Sequence, residues 1–336
     1  MLDVRKQAIL KKVVSEHIET AHPVGSAHVV LDPSIECSPA TVRADMAALE
    51  REGYLTHPHT SAGRVPTDKG YRFFVDQLSG PGALDATRTG QVQDFFARAH
   101  GELEKMLHDT SRLLSELTDY AAVVVGPTHE TLTIRCSLLT RISPRLVLLV
   151  VVLSNGAVDK HGIEVDDDIA DECIQRAGTI LAGHLAGQTV GQLGIAAPSG
   201  DALVDSLVSR CEEVLAGATA GAVPPPDSVY VGGASRMAEQ FAAVETVREV
   251  LAILEQSFVV VTLIRDVLAS GQQVSIGAEN GVASLAECSL VVAPYRVDDH
   301  VIGTIGVLGP TRMHYSEALA AVALVSEQLG SQLREA

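Results

Sequence analysis

A chain of 336 residues with 46% hydrophobic and 20% charged side chains has room for two or three globular domains, and this composition excludes a disordered, collagen-like or disulfide-scaffold protein. Aromatic residues make up 4% and Trp is absent, so the core rests on Val, Leu, Ile and Ala, and an aromatic base-stacking surface for single-stranded nucleic acid is disfavoured. The net charge of −17 repels phosphate and anionic membranes and, taken alone, argues against nucleic acid. Its distribution says more. Residues 1–78 hold nine Lys and Arg against ten Asp and Glu, a net −1, and the other 258 residues carry −16. The five cysteines, Cys37, Cys136, Cys173, Cys211 and Cys288, form no CxxC or CxxxC pair and have no His at ligand spacing, the pattern of reduced, buried thiols in a cytoplasmic protein. Met1 to Lys6 lacks the apolar stretch of a signal peptide. The longest strongly apolar run, Leu146 to Leu153, has eight residues, against about 18 for a membrane-spanning helix.

Ile9, Leu10, Val13, Val14 and Ile18 form one apolar stripe of a helix over 5–18, with Lys6, Lys11, Lys12 and Glu16 on its other side. His22-Pro23-Val24-Gly25-Ser26 breaks that helix, and Ser26 opens a short second one that ends at Asp32-Pro33. Ser38-Pro39 supplies an N-cap hydroxyl and a proline at the first helical position, and Gly53 follows a third helix ending at Glu52. Val42, Met46 and Leu49 share one face of this third helix. Ala40, Arg43, Ala44, Ala47, Ala48 and Arg51 occupy the opposite face. Small side chains flanked by arginines permit close approach to a DNA major groove, with Ser38 and Thr41 reaching bases or phosphates; an Ala-rich surface packed against another domain is the equal alternative. Tyr54 to Pro58, a polar turn at His59-Thr60-Ser61-Ala62-Gly63, and Arg64 to Thr67 then read as a hairpin. This tips the balance toward a winged helix-turn-helix, with His59, Thr60, Ser61 and Arg64 at the wing tip against backbone or minor groove. His57 and His59 form an H-x-H pair, but no third ligand stands nearby in sequence, which disfavours a metal. Thr67-Asp68 caps a further helix in which Tyr71, Phe74, Val75 and Leu78 close the small core.

The resemblance becomes specific in Pro23-Val24-Gly25-Ser26, Ser38-Pro39-Ala40-Thr41-Val42-Arg43, Gly53-Tyr54-Leu55, His59-Thr60-Ser61-Ala62-Gly63-Arg64-Val65-Pro66-Thr67 and Gly70-Tyr71-Arg72. Together these runs resemble the HrcA family of bacterial heat-inducible transcription repressors, the His-Thr-Ser-Ala-Gly-Arg wing far more specifically than any generic winged helix.

Ser79-Gly80-Pro81-Gly82 reads as a linker. A long connecting helix is expected over 85–118, with Phe95, Ala99, Leu103, Met106, Leu107, Leu113, Leu114 and Leu117 on its apolar side. Strands follow at 121–125, 133–139, 146–153 and 157–165, the last two joined by a turn at Asn155-Gly156. Residues 166–221 are helical in pattern, and Asp166-Asp167-Asp168 is expected to cap the first of these helices rather than to bind a metal. After Pro224-Pro225-Pro226 come a strand at 228–231, helices around 244–255 and 258–268, strands at 274–276, 286–297 and 301–308, and a last helix over 316–333. Gly303, Gly306 and Gly309 match neither GxGxxG nor GxxxxGK[ST], so close strand packing accounts for them better than a phosphate loop. Arg312 and Tyr315 have no assigned role. No GxSxG, HExxH or paired catalytic carboxylates occur, which argues against an enzyme.

The terminal hairpin and helix resemble the end of a GAF-type sensor domain. Ile276-Gly277-Ala278-Glu279-Asn280, Tyr295 and the stretch Gly303 to Tyr315 extend the HrcA resemblance to this end of the chain. The resemblance implies an α+β multidomain protein. Its parts are a winged helix-turn-helix DNA-binding domain over 1–78, a linker and connecting helix over 79–118, and a GAF-like domain in two parts, 119–165 and 227–336, interrupted by an inserted, mainly helical dimerisation domain over 166–226. It further implies a homodimer that binds an inverted-repeat operator, the CIRCE element, upstream of chaperone operons, and that depends on the chaperonin GroEL until heat diverts it. The expected contacts to double-stranded DNA are Ser38, Ala40, Thr41, Arg43, Ala44, Arg51, His59, Thr60, Ser61 and Arg64. With the first segment near neutral and the rest acidic, non-specific affinity is expected to be weak and salt-sensitive. A GAF-like module that senses a small molecule is the alternative, although its strands are so apolar that a filled core is expected. No cofactor, metal or membrane contact is expected.

Overall fold

The computed structural model describes residues 2–58, 63–78, 80, 82–99, 103–127, 132–154, 158–166, 169–219, 229–238, 240–241, 244–297 and 300–335. Helix α1 (Val4–Thr20) starts where the Asp3 side chain accepts the Lys6 N–H, and it buries the stripe from Ile9 to Ile18. α2 (Ser26–Val29) is a single turn, and α3 (Pro39–Arg51) follows the Ser38 cap. Strands β1 (Leu55–Thr56) and β2 (Val65–Pro66) pair antiparallel, Leu55 opposite Pro66 and Thr56 opposite Val65. α4 (Asp68–Asp76) begins immediately after, capped by Thr67 through the Gly70 N–H. The turn expected at His59 to Ala62 lies outside the described residues.

The connecting helix is not one rod but two helices, α5 (Ala86–Arg98) and α6 (Leu103–Thr118). α5 stops because Ala99 leaves the helical region, with ψ at 96°. Then come β3 (Ala121–Val125), β4 (Ile134–Ser143), β5 (Leu146–Leu153), β6 (Val158–Glu164), α7 (Asp171–Leu185) and α8 (Ala202–Thr219). The chain closes with β7 (Val229–Gly232), α9 (Ala234–Ala238), α10 (Val244–Leu254), α11 (Ser257–Ala269), β8 (Val274–Ile276), β9 (Cys288–Val297), β10 (His300–Pro310) and α12 (Tyr315–Glu335).

The strands assort into a five-stranded antiparallel sheet, in the order β7-β3-β10-β9-β8, and a separate antiparallel sheet β4-β5-β6. Of the strands within 119–165, expected together as the first part of the GAF-like domain, only β3 joins the larger sheet. A division at residue 165 would cut β4–β6 from the helices that cover them. The inserted unit is therefore α+β rather than mainly helical: Val147, Leu149, Val151 and Leu153 alternate inward against Ile174, Leu181, Val204 and Leu207 of α7 and α8. Although every residue of β5 is apolar, its even-numbered positions are half-exposed, because a strand faces its own core with every second side chain only. Asp166 also lies before the helix it was expected to cap. α7 starts at Asp171 with no side-chain cap on Ala170, and Asp171 and Glu172 are the acids of its first turn; Asp167 and Asp168 lie outside the described residues.

Both faces of the five-stranded sheet are covered, which is why β3 is buried at all five positions. Ala122 and Val124 face α5, α6 and α12, whereas Ala121, Val123 and Val125 face α10 and α11. A Cβ on Gly303 would stand 2.2 Å from Tyr295 Oη and one on Gly309 2.7 Å from the Tyr120 ring, so these glycines serve close packing. The first apolar cluster runs without a break from Ile9, Leu49 and Tyr71 into Leu107, Tyr315 and Leu329. The N-terminal unit is thus packed onto the body rather than tethered to it. Among the cysteines the buried expectation holds for Cys211 and Cys288, whose thiols desolvation pushes up to about 12. It fails for Cys136, which is exposed on β4, and Cys37 and Cys173 are half-buried. Among the described residues no helix is long and apolar enough to cross a membrane.

Candidate nucleic-acid interface

The candidate surface is built on α3. Ser38 Oγ accepts the Thr41 N–H at 3.2 Å and lies 2.9 Å from Thr41 Oγ1, which satisfies one of the free donors of the first turn. Val42, Met46 and Leu49 are buried beneath the helix. Ala40, Arg43, Ala44 and Arg51 are exposed, and Thr41, Ala47 and Ala48 are half-buried. The expected face is therefore in the open, and it is not packed on another part of the chain among the described residues. Arg43 and Arg51 are eight residues apart, about 12 Å along the axis at 1.5 Å per residue, with alanines between them.

Sequence reasoning missed what holds this helix in place. Asp45 is buried on the inner side of α3 and takes both Nε and Nη2 of Arg5 on α1, at 2.7 and 3.3 Å. Lys6 reaches Glu52 at 3.4 Å. An acidic residue at an otherwise apolar phase of the helix was the available signal, because a carboxylate there requires a partner. Such a bidentate pair fixes rotation as well as distance.

Arg64 stands at the root of the hairpin, not at its tip. Its N–H and C=O both pair with Val24, at 2.9 and 2.8 Å, so Val24 extends the small ladder by one bridge. The guanidinium Nε is 2.8 Å from Glu50 Oε2 on α3, close enough for charge pairing although the N–H is not aligned as a hydrogen bond. Glu50 Oε1 meets His57 Nδ1, so His57 is engaged by a carboxylate of the third helix. His59, Thr60 and Ser61 lie outside the described residues.

On the far side, α4 carries Tyr71, whose hydroxyl is 2.7 Å from His17 Nδ1 and whose ring leans on Tyr315. Tyr315 Oη is in turn 2.7 Å from Ser289 Oγ and donates to Thr311 O at 2.6 Å. Arg312, a position without an assigned role in the sequence, donates to Gln240 O. Burial raises the Tyr71 pKa far above that of a free phenol, so its O–H donates and His17 accepts as the neutral imidazole. Burial, together with the charge of Arg312 and His22, lowers the His17 pKa. The unfolded chain binds a proton at about pH 6.5 and the folded one only at lower pH, so stability is full above that value and falls as pH drops below it. Urea midpoints taken at about pH 7.5 and about pH 5.5 should therefore differ more in the wild type than in His17→Gln; equal pH sensitivity in both would contradict this assignment.

An open, arginine-flanked helix on a unit packed against a larger α+β body is the layout of a transcription regulator, and comparison with known proteins gives the class as transcription repressor. The chain is 37% identical to the heat-inducible transcription repressor HrcA of Pseudarthrobacter chlorophenolicus, over 98% of each chain. It is 36% identical to that of Cutibacterium acnes, over 100% of each, and 33% identical to that of Acetivibrio thermocellus, over 96% of this chain and 93% of that one. The family model for the HrcA protein C terminal domain matches residues 104–319. The chain belongs to the HrcA family of heat-inducible transcription repressors. A solved structure described as a hypothetical protein at 2.2 Å resolution shares the fold, with a TM-score of 0.65 and 23% identity over 100% of this chain and 99% of that one.

Proposed function

We propose that residues 2–78 act as a winged helix-turn-helix and that α3 is the recognition helix, entering the major groove with Ser38, Ala40, Thr41, Arg43, Ala44 and Arg51. His59, Thr60, Ser61 and Arg64 serve the wing, with Arg64 acting from its root. The observation that carries this reading is the exposed face of α3 formed by Ala40, Arg43, Ala44 and Arg51, held from behind by the Arg5–Asp45 pair. Two copies related by a two-fold axis bring two such helices to the half-sites of an inverted repeat of the CIRCE type. The five-stranded sheet with its helices corresponds to the GAF-like domain, and the β4–β6 unit to the inserted dimerisation domain. Leu138 and Val158 are exposed, and Val150 and Val152 half-exposed, on the sheet face that α7 and α8 leave open, and such an apolar face favours a second copy. The protein acts in the cytoplasm, represses chaperone operons at growth temperature with the help of the chaperonin GroEL, and is released on heat shock.

A small-molecule sensor is the less favoured reading. The void between the five-stranded sheet and α10–α11, lined by Val123, Ile253, Val260 and Leu308, is about 20 Å³, room for no more than about one water. Deleting the gene in its host tests the repressor function. Chaperone transcripts at growth temperature should rise to heat-shock levels, and unchanged transcripts would contradict the proposal.

A further inference from the structure

The N-terminal unit is bolted to the body through one face of α4. Asp68 Oδ2 accepts the Ala278 N–H at 3.0 Å. One turn further on, Arg72 Nε donates to Glu279 Oε1 at 3.0 Å, and Nη2 donates to Val274 O at 2.8 Å and also to Glu279 Oε2. The receiving loop is held rigid from its own side. Glu279 Oε2 also accepts the Ile276 N–H at 2.9 Å, and Asn280 Nδ2 donates to Gly277 O and Cys288 O, each at 2.9 Å. Gly277 has φ at +55°, and a Cβ there would lie 2.3–2.4 Å from the Asp68 carboxylate, so only glycine leaves the seat open. Arg72 is mostly buried in this junction, with 19% of its side chain exposed.

The position of these contacts gives them leverage. Asp68 is two residues beyond β2, so the hairpin root and the clamp share one rigid stretch of chain. α3 is tied to α1 by Arg5–Asp45, and α1 to α4 by His17 and Tyr71. A tilt at α4 would therefore move α3 and the hairpin as one body. In a dimer, the separation and twist of the two α3 helices depend on that tilt in both protomers. We propose that Asp68 and Arg72 are positioning residues that, with Gly277, Ala278 and Glu279, set the angle of the DNA-reading unit on the body and so the half-site spacing that the dimer accepts. This rests on the operator-binding reading above.

The test is binding of the full-length protein to inverted repeats whose spacer differs by single base pairs, each step turning one half-site by about 35° and moving it about 3.4 Å relative to the other. A single half-site and a scrambled duplex complete the set. Arg72→Ala removes the guanidinium arm of the clamp while leaving Asp68–Ala278 and the bonds within 276–280 in place, and Glu279→Ala removes the carboxylate that receives that arm together with its bond to the Ile276 N–H. Each preparation is compared with itself across spacers, so a partly folded sample does not alter the ratio. Wild type should prefer its best spacer over the neighbouring lengths by about tenfold or more, and both variants should discriminate by about threefold or less with half-site affinity changed by no more than about twofold. Wild-type discrimination retained in both variants would overturn the clamp alone, as would a variant that binds the best spacer more tightly than wild type. A wild type that prefers no repeat over the scrambled duplex would overturn the operator reading and the clamp with it.

Discussion

Replacing Arg43 by alanine is expected to weaken operator binding by about 1–3 kcal/mol, roughly 5- to 150-fold, with little effect on binding to random duplex. Arg43 is exposed on the outward face of α3, near its N-terminal end, and among the described contacts it forms no ion pair that would restrain it. Its guanidinium can therefore turn to the bidentate geometry that reads a guanine edge. Arg64 provides the contrast. Removing it should weaken operator and random DNA alike, because on the reading proposed above it meets the DNA backbone, and because its loss leaves the Glu50 carboxylate without the guanidinium near DNA phosphates. Titrations of both variants on both duplexes separate the roles. Equal losses on operator and random DNA for Arg43→Ala would remove Arg43 from base recognition.

Tyr295→Ala should have the largest effect on the fold. The ring is fully buried in the five-stranded sheet, its hydroxyl donates to Val125 O at 3.0 Å, and Gly303 is packed against it so closely that no side chain fits. Emptying such a site costs about 3–5 kcal/mol, out of a total stability of about 5–15 kcal/mol for a typical protein. At roughly 2–4 °C per kcal/mol in a chain of this size class, the melting temperature should drop by about 10 °C. Tyr295→Phe keeps the ring and loses only the hydrogen bond, so it should cost about 1–3 kcal/mol. On the function proposed above, Tyr295→Ala would also derepress chaperone genes at a lower temperature. Thermal melts of the three proteins decide this, and a melting temperature unchanged in Tyr295→Ala would contradict the packing described for Gly303.

Local signals in the sequence were strong where one helix or strand answers to its own residues. The α1 stripe, the Ser38 cap and the position of Gly53 after α3 all follow from periodicity and capping chemistry, and each appears in the structure. What the sequence hid was partnership. β3 and β5 are both wholly apolar runs, and nothing in their spacing says that β3 pairs with β10 and β7, more than a hundred residues away, while β5 pairs with β4 and β6. The break between α5 and α6 was masked by apolar positions that keep helical phase across it. In the candidate site the outward face of α3 was legible, because small residues between arginines are unusual on a solvent-exposed helix. The partners of Asp45, Glu50 and Asp68 were not: the apolar phase of Asp45 signals that a partner is needed, but the sequence does not say which residue supplies it. Arg64 was misplaced for the same reason: its pairing with Val24 joins segments 40 residues apart, and turn chemistry around 59–63 does not encode it.

The most direct test of the central claim, that this chain reads an inverted repeat through two copies of α3, is fluorescence anisotropy of the purified protein on a labelled CIRCE-type duplex and on a scrambled duplex of equal length, across a salt series. Tight binding to the repeat at two protomers per duplex is predicted, with weak and strongly salt-dependent binding to the scrambled duplex, as expected of a protein whose body carries most of the −17 charge. Equal, weak binding to both duplexes, unchanged when GroEL is added, would contradict the account.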